Sequence, residues 1–353
     1  MDSRERVRLA LMHKEADRVP IQDSPWGATV DRWRTEGLPS GVSPADFFGF
    51  ELASFGADSS PQFPVEVLRE DAEYIVERNP YGGIRRNHRD YSTTPEIIGY
   101  PVNNREDWEK LKDRLQPSDY RVDWVSGLQT LQRERSRGRF ITYNGIVGYD
   151  KAQLYLTSPR LLKAVIKEPE WLIEMYETDA ELCIEMCERM IRGGFIFDGA
   201  FLYCDLGYKT GLFFSPKHYE VQLHPVFKKL CNYFKSRNMP VLLHSCGRVK
   251  DLIPYFIEEG ITCLQPIEVK AGMDLVALKR QYGGDICFMG GIDVRVMAQG
   301  DPAALEKEVK EKLEVAKEGG GYIYHSDHSI PKNVSFQTFK LVIDLVKKYG
   351  RYG

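Results

Sequence analysis

Short apolar runs alternate with amphipathic stretches over the last two-thirds of the chain. Strand-like runs fall at 139–144, 194–203, 239–244, 262–267, 285–290 and 320–325. Helical periodicity covers 216–236, 248–259, 273–282 and 302–318, and a last helix follows over 335–349. Brief apolar strands joined by helical crossovers predict a parallel sheet buried on both faces. Two earlier strands, at 18–23 and near 50–55, bring the count to eight. The expected fold is therefore an α/β (β/α)₈ TIM barrel. A helix at 3–14, capped by Ser3, and another over 28–36 form an N-terminal extension. Residues 73–91 read as a hairpin around Asn79-Pro80-Tyr81-Gly82-Gly83. Residues 104–136 are charged, with Trp108 and Leu111 at helical spacing, and read as surface helices. The chain reads as one domain over 1–353, with 40–136 as insertion and flap elements.

Composition narrows the function classes. The 353 residues carry 48 Lys+Arg against 51 Asp+Glu, a net charge of −3. A dedicated nucleic-acid binder would be basic. A membrane span needs roughly 18 consecutive apolar residues, and no run approaches that. The first residues, MDSRER, lack the apolar core of a signal peptide. Seven Cys without framework spacing suggest reduced thiols and a cytoplasmic location. No G-x-G-x-x-G follows a strand and no Walker A sequence is present, which disfavours an open dinucleotide-binding sheet.

In a barrel the chemistry gathers at the C-terminal ends of the strands. Those ends supply Asn144, Asp198, Asp205, His244, Cys246, Gln265, Glu268, Asp293, His325, Asp327 and His328. His244 and Cys246, two apart on a strand, share a face and suggest two ligands of a catalytic zinc. His328 is the candidate third ligand. The bland alternative is a hydrogen-bonding His beside a small buried Cys. Asp205 either contacts substrate or caps a helix. Asp198 is either a carboxylate of the lumen or a solvated loop group. Asp327 either pairs with His328 or caps a turn. His325 is expected to face away from the mouth. His13, His88, His218 and His224 read as surface residues, and Cys183 and Cys187 as packing. Trp26, Phe63, Tyr143, Tyr203, Tyr208, Phe213 and Phe214 are available to wall a ring-containing substrate. Of these, Trp26, Tyr143 and Tyr208, with Asn144 and Gln265, are the candidate substrate contacts.

The string VLLHSCGRVKDLIPYFIEEGITCLQPIE, followed by GMDLVALKRQYGGDICFMGGID and GGGYIYHSDHSIP, resembles the uroporphyrinogen decarboxylase superfamily. So do CDLGYKTGLFFSPKHY, FFGFELASFGADSSPQFPVEV and YGGIRRNHRDYSTTPEI, in the family's order. The resemblance implies a (β/α)₈ barrel and one of two chemistries. Tetrapyrrole decarboxylases carry an Arg-rich loop, like RQAGR, after the first strand. Here that stretch is QDSPWGATVDRW, whose first Arg is Arg32. The corrinoid-linked methyltransferases have an H-x-C pair and a later Cys as zinc ligands. His244 and Cys246 match the pair, and His328 stands where the later Cys would be.

The resemblance thus implies methyl transfer from a small methoxylated, in the first place aromatic, or methylated donor to the Co(I) of a corrinoid protein. His244, His328 and Asp205 would be the catalytic residues, and His244, Cys246 and His328 the zinc ligands. The partners implied are a corrinoid protein and a small methyl donor or acceptor, and a homodimer is compatible with them. The alternatives are a zinc-dependent methylcorrinoid:thiol methyltransferase, a decarboxylase, or a non-catalytic barrel that binds a corrinoid or tetrapyrrole.

Overall fold

The computed structural model describes residues 1–89 and 95–353. In chain order the strands are β1 (Leu52–Phe55), β2 to β5 (Glu66–Glu70, Tyr74–Arg78, Ile84–His88, Glu96–Gly99), β6 (Phe140–Ile146) and β7 (Gly199–Tyr203). Then come β8 (Gly207–Tyr208), β9 (Gly211–Leu212), β10 (Val241–His244), β11 (Ile261–Gln265), β12 (Cys287–Met289) and β13 (Tyr322–Ile323). Seven of them form one parallel sheet in the order β1-β6-β7-β10-β11-β12-β13. The eighth stave is the predicted 18–23 run. The Tyr324 N–H donates to the Pro20 carbonyl (2.9 Å), the Gln22 N–H to the Tyr324 carbonyl (3.0 Å), and the Glu51 N–H to the Ile21 carbonyl (2.9 Å). These bonds join the two edges of the sheet and close the barrel.

Side-chain parity divides each stave. Leu52, Phe140, Phe201, Leu242, Cys263, Cys287, Met289 and Ile323 fill the lower lumen. Val7, Ala10 and Leu11, on the apolar stripe of helix Ser3–Leu11, pack against them and plug the N-terminal end. The opposite parity faces the surrounding helices. The first helix is capped by Asp2, one residue before the expected Ser3; the Asp2 carboxylate accepts from the Glu5 N–H at 2.8 Å.

The predicted helix 216–236 is two helices, Pro216–Gln222 and His224–Ser236. Pro225 lacks the N–H that a continuous helix needs and its ring crowds the preceding turn. The run 248–259 likewise divides into a 3₁₀ turn, Lys250–Leu252, and helix Ile253–Glu259. Within 104–136, helix Arg105–Lys112 buries Trp108 and Leu111, and helix Trp124–Ser136 follows.

The predicted hairpin is β3 and β4, with the Asn79 side chain accepting from Tyr81 and Gly83 N–H groups at 3.0 Å each. It is the centre of a four-stranded antiparallel sheet, β2-β3-β4-β5, whose outer strands the pattern did not disclose. β2 is exposed throughout and so has no alternation of burial to read. Asp90 and Tyr91, the end of the expected hairpin, lie outside the described residues. Within 40–136, Leu52–Phe55 is a barrel stave rather than part of the flap.

Candidate active site at the barrel mouth

His244 ends β10 with the parity of Leu242 and points into the lumen. The chain then turns through Ser245, Cys246 and Gly247. Gly247 has φ +83°, and a Cβ there would lie 2.2 Å from the Gly207 carbonyl carbon. Only glycine lets this turn press against the β8–β9 hairpin. The contact is laced by the Leu206 N–H donating to Ser245 Oγ (3.1 Å) and the Cys246 N–H donating to Asp205 Oδ1 (2.7 Å). Gly247 N–H donates to the Glu268 carboxylate, which also pairs with Lys270 at 3.0 Å.

This lacing gathers three donor atoms. Cys246 Sγ lies 3.3 Å from His244 Nε2, and Asp205 Oδ1 lies 3.5 Å from the same nitrogen. All three ligand atoms fall within 4.8 Å of one another. Burial lowers the pKa of His244, against the opposing pull of Asp205, and favours the neutral ring. Burial, with the carboxylates of Asp205 and Glu268, raises the Cys246 thiol well above its usual range. A cation among these atoms would reverse that preference and draw off the thiol proton.

Asp205, and not His328, completes the group. Asp205 follows β7, the stave beside β10, whereas β13 lies three staves away. His328 stands five residues beyond the end of β13 on irregular chain. Its Nδ1 lies 3.2 Å from the Ser329 carbonyl and its ring meets the edge of half-exposed Trp26 at 5.8 Å. It remains near enough to help hold His244 neutral.

Other expectations need correction. Tyr143 is not a wall of the mouth. It has the outward parity of β6, and its hydroxyl donates to the Cys183 carbonyl at 3.0 Å behind the barrel. His325 faces inward: its Nε2 lies 3.4 Å from Gln265 Nε2, and Gln265 Oε1 bonds His244 Nδ1. Asp198 is neither a mouth carboxylate nor a solvated group. It bonds Arg4 (2.7 Å), Arg135 (2.6 Å) and the Ile141 N–H (2.8 Å) at the entry to β7. Asp327 neither bonds His328 nor caps the turn that follows it; it accepts from the Val269 and Val294 N–H groups, on two distant segments, at 3.0 and 2.9 Å. Asp293 caps helix Val294–Gln299 and pairs with Arg295. His224 is tucked in, with Nδ1 2.8 Å from Glu259, rather than displayed on the surface. Cys183 and Cys187 are buried.

A cavity of about 340 Å³ lies on the far side of Tyr203 from His244, lined by Asp58, Ser59, Tyr81, Asn144, Ile146 and Tyr203 among others and by none of Asp205, His244 and Cys246. Asn144 thus lies in a concavity, and Tyr203 links it to His244, their rings 5.1 Å apart. Tyr208 is half exposed on the hairpin and stacks on Phe213 at 5.9 Å. One acid was overlooked. Asp150, four residues past β6 in helix Gly148–Gln153, sits beside Asp205. Burial and that neighbouring carboxylate push its pKa up to about 7. The strand-end rule, extended by one turn, would have found it.

A sequence profile described as "Uroporphyrinogen decarboxylase (URO-D)" matches residues 87–349. The chain belongs to the uroporphyrinogen decarboxylase family. Family members with that name are its curated relatives: one from Mannheimia succiniciproducens is 24% identical over 198 residues, 54% of this chain and 52% of the relative. Another, from Vesicomyosocius okutanii, is 25% identical over 114 residues, 32% of each chain. The chain thus spans about half or less of the length of these relatives. Among solved structures, a "methyltransferase from Methanosarcina mazei" superposes with a TM-score of 0.71 at 16% identity, covering 99% of both chains. That likeness is one of fold and supports the closed barrel. In this family member, Arg32 is engaged by Glu36 (2.6 Å) and the Lys332 carbonyl (2.7 Å). Among the described residues, no helix is long and apolar enough to cross a membrane.

Proposed function

We propose that this protein moves a methyl group from a small methoxylated aromatic donor to the cobalt(I) of a corrinoid carried by a partner protein. The observation that carries the reading is the convergence of Asp205, His244 and Cys246, which Tyr203 connects to a small cavity. Carboxylate, imidazole and thiolate are all zinc ligands, and three of them with a fourth position open describe a catalytic site. These residues would hold the metal. When bound, zinc supplies Lewis acidity toward a donor oxygen or a thiol.

The chain's own groups account for the rest. The cavity is at the lower end of the range for small-molecule sites, roughly 300–1,000 Å³, and suits a single ring rather than a tetrapyrrole. Tyr203 and Tyr81 offer flat faces and Asn144 a carboxamide. In the reaction, cobalt(I) supplies the electron pair for the new bond to the methyl carbon. The carbon–oxygen pair leaves with the phenolic oxygen, which takes a proton. His328, at the mouth beside Trp26, is the proton donor, a role typically contributing about 10²–10⁴-fold. Cobalt ends two electrons more oxidised, so no further oxidant is needed. The engagement of Arg32 by Glu36 supports the departure from the Arg-rich loop of a decarboxylase.

The same donor set favours a second reading, in which zinc binds a thiol acceptor and the methyl group leaves a methylcorrinoid. Spectroscopic assays separate the two. Cob(I)alamin with a panel of methoxyarenes should give methylcobalamin; the second reading instead predicts demethylation of methylcobalamin by thiols. Under either, His244→Ala and Cys246→Ala should lower the rate at least about 100-fold. Absence of methyl transfer in both directions, with donors, thiols and added zinc, would sink the proposal.

A further inference from the structure

The inward face of the barrel mouth holds an unbroken line of hydrogen bonds behind His244. The Ser326 carbonyl lies 2.7 Å from His325 Nδ1; His325 Nε2 lies 3.4 Å from Gln265 Nε2; Gln265 Oε1 bonds His244 Nδ1. Chemistry gives this line one direction. A carbonyl only accepts, so His325 must carry its proton on Nδ1. In the neutral ring its Nε2 is then an acceptor, and the group facing it must be the Gln265 NH₂. That orientation turns Gln265 Oε1 toward His244, so His244 Nδ1 must be the N–H. The lone pair of His244 is left on Nε2, the nitrogen facing Cys246 and Asp205.

The reverse orientation of the amide requires a second proton on His325. A carboxylate that would favour it is Asp23, 3.7 Å from His325 Nδ1. Asp23 is already supplied with donors: Ser24 N–H (2.9 Å), Tyr324 O–H (3.1 Å) and Ser326 N–H (3.3 Å), with Ser326 Oγ, whose one proton the His328 carbonyl also faces, at 2.7 Å. Ser24 Oγ, 3.4 Å from His325 Nε2, can donate its hydroxyl proton to the lone pair that the neutral ring carries there.

We infer that Gln265 and His325 form a tautomer lock, holding His244 as the Nδ1–H form so that Nε2 stays free to bind an electrophile. Gln265 is a positioning residue that acts through His244, and His325 in turn orients Gln265. The reason for two residues is geometric. Gln265 is the register partner of His244 on β11, but a free amide rotates by half a turn without changing shape. His325 removes that ambiguity. Outer partners of ligating histidines are typically worth about 10–100-fold in metal affinity.

The metal part of this inference rests on the reading above; the tautomer part stands without it. Long-range ¹H–¹⁵N correlation spectra of metal-free protein labelled with ¹⁵N-histidine read the tautomers directly, with His244→Gln and His325→Gln identifying the signals. Wild type should show Nδ1–H at both residues. Gln265→Leu should release His244 to a mixture of tautomers and weaken zinc binding about 10–100-fold, measured by competition with a chromophoric chelator. Gln265→Glu, which keeps an acceptor for His244, should restore the Nδ1–H form. An Nε2–H tautomer at His244 in wild type overturns the lock, as does a Gln265→Leu protein that keeps both tautomer and zinc affinity. The wild-type spectrum decides even if Gln265→Leu fails to fold. If wild type binds no zinc yet shows Nδ1–H, the metal reading falls and the lock stands.

Discussion

A single step in strand parity separates a residue of the mouth from one of the outer shell. Asn144 and Tyr143 are neighbours on β6, both ending an apolar run, yet successive side chains on a strand point to opposite faces. Asn144 lines the cavity; Tyr143 bonds the Cys183 carbonyl behind the sheet. Tyr143→Phe should therefore cost about 0.5–1.5 kcal/mol of stability, the net worth of one hydrogen bond, and leave zinc affinity and turnover within twofold. Urea unfolding and a chelator titration check this. A large loss of turnover with intact stability would place the ring back in the site. His244 and Cys246 were legible because their spacing is local, although β10 ends at His244 and it is the turn after it, not strand alternation, that brings Cys246 Sγ to the imidazole. Asp205 as their third partner was not, because the choice between it and His328 depends on which staves are adjacent.

Secondary elements show the same division between local signal and packing. The helices with clear apolar stripes, such as Pro302–Ala316 and Phe336–Tyr349, are where periodicity puts them. The exposed outer strands of the flap left no such stripe. Helix Ile253–Glu259 shows what packing adds. Its last residue, Glu259, is buried against Tyr219 O–H (2.7 Å) and His224 (2.8 Å), with Glu258 and Lys228 at the nearby surface. Burial is the main cause that pushes the Glu259 pKa up to about 9 from an ordinary 4.5, and the charge of Glu258 adds to it. A raised carboxyl pKa means the folded state holds a proton that the unfolded chain releases. Its contribution is complete below the unfolded value of 4.5 and is lost as pH climbs through about 9. Glu259→Gln mimics the protonated form and has no proton to lose. Urea unfolding at pH 5, 7 and 9 should show the variant gaining on wild type as pH rises. Parallel profiles would show that Glu259 is ionised in the folded protein.

At the scale of the whole molecule, the barrel is closed by an extended segment too short to register as a strand, and stoppered by the first helix. Leu11 inserts from that helix into the lower lumen, 4% exposed, at the far end from Asp205, His244 and Cys246. Leu11→Ala should cost about 2–5 kcal/mol through lost burial and an unfilled cavity, with zinc affinity unchanged. A cost below about 1 kcal/mol, measured by urea unfolding, would mean the helix is a loose cover and not part of the core. The order of the staves also decides the chemistry. β7, β10 and β11 are consecutive, so Asp205, the His244–Cys246 pair and Gln265 come from three adjoining strands. β13 reaches the same group through the inward His325, which bonds Gln265.

The sequence by itself determined the α/β alternation, the number of staves, the family and the strand ends where polar groups collect. Each is written in short-range patterns of period 2 and 3.6 and in ordered motifs. Which of those polar groups meet was decided by tertiary structure alone. Barrel closure sets which strands are neighbours, and parity sets which side chains enter the lumen. A ligand distance of a few ångströms depends on both, and neither is a property of any local stretch of chain.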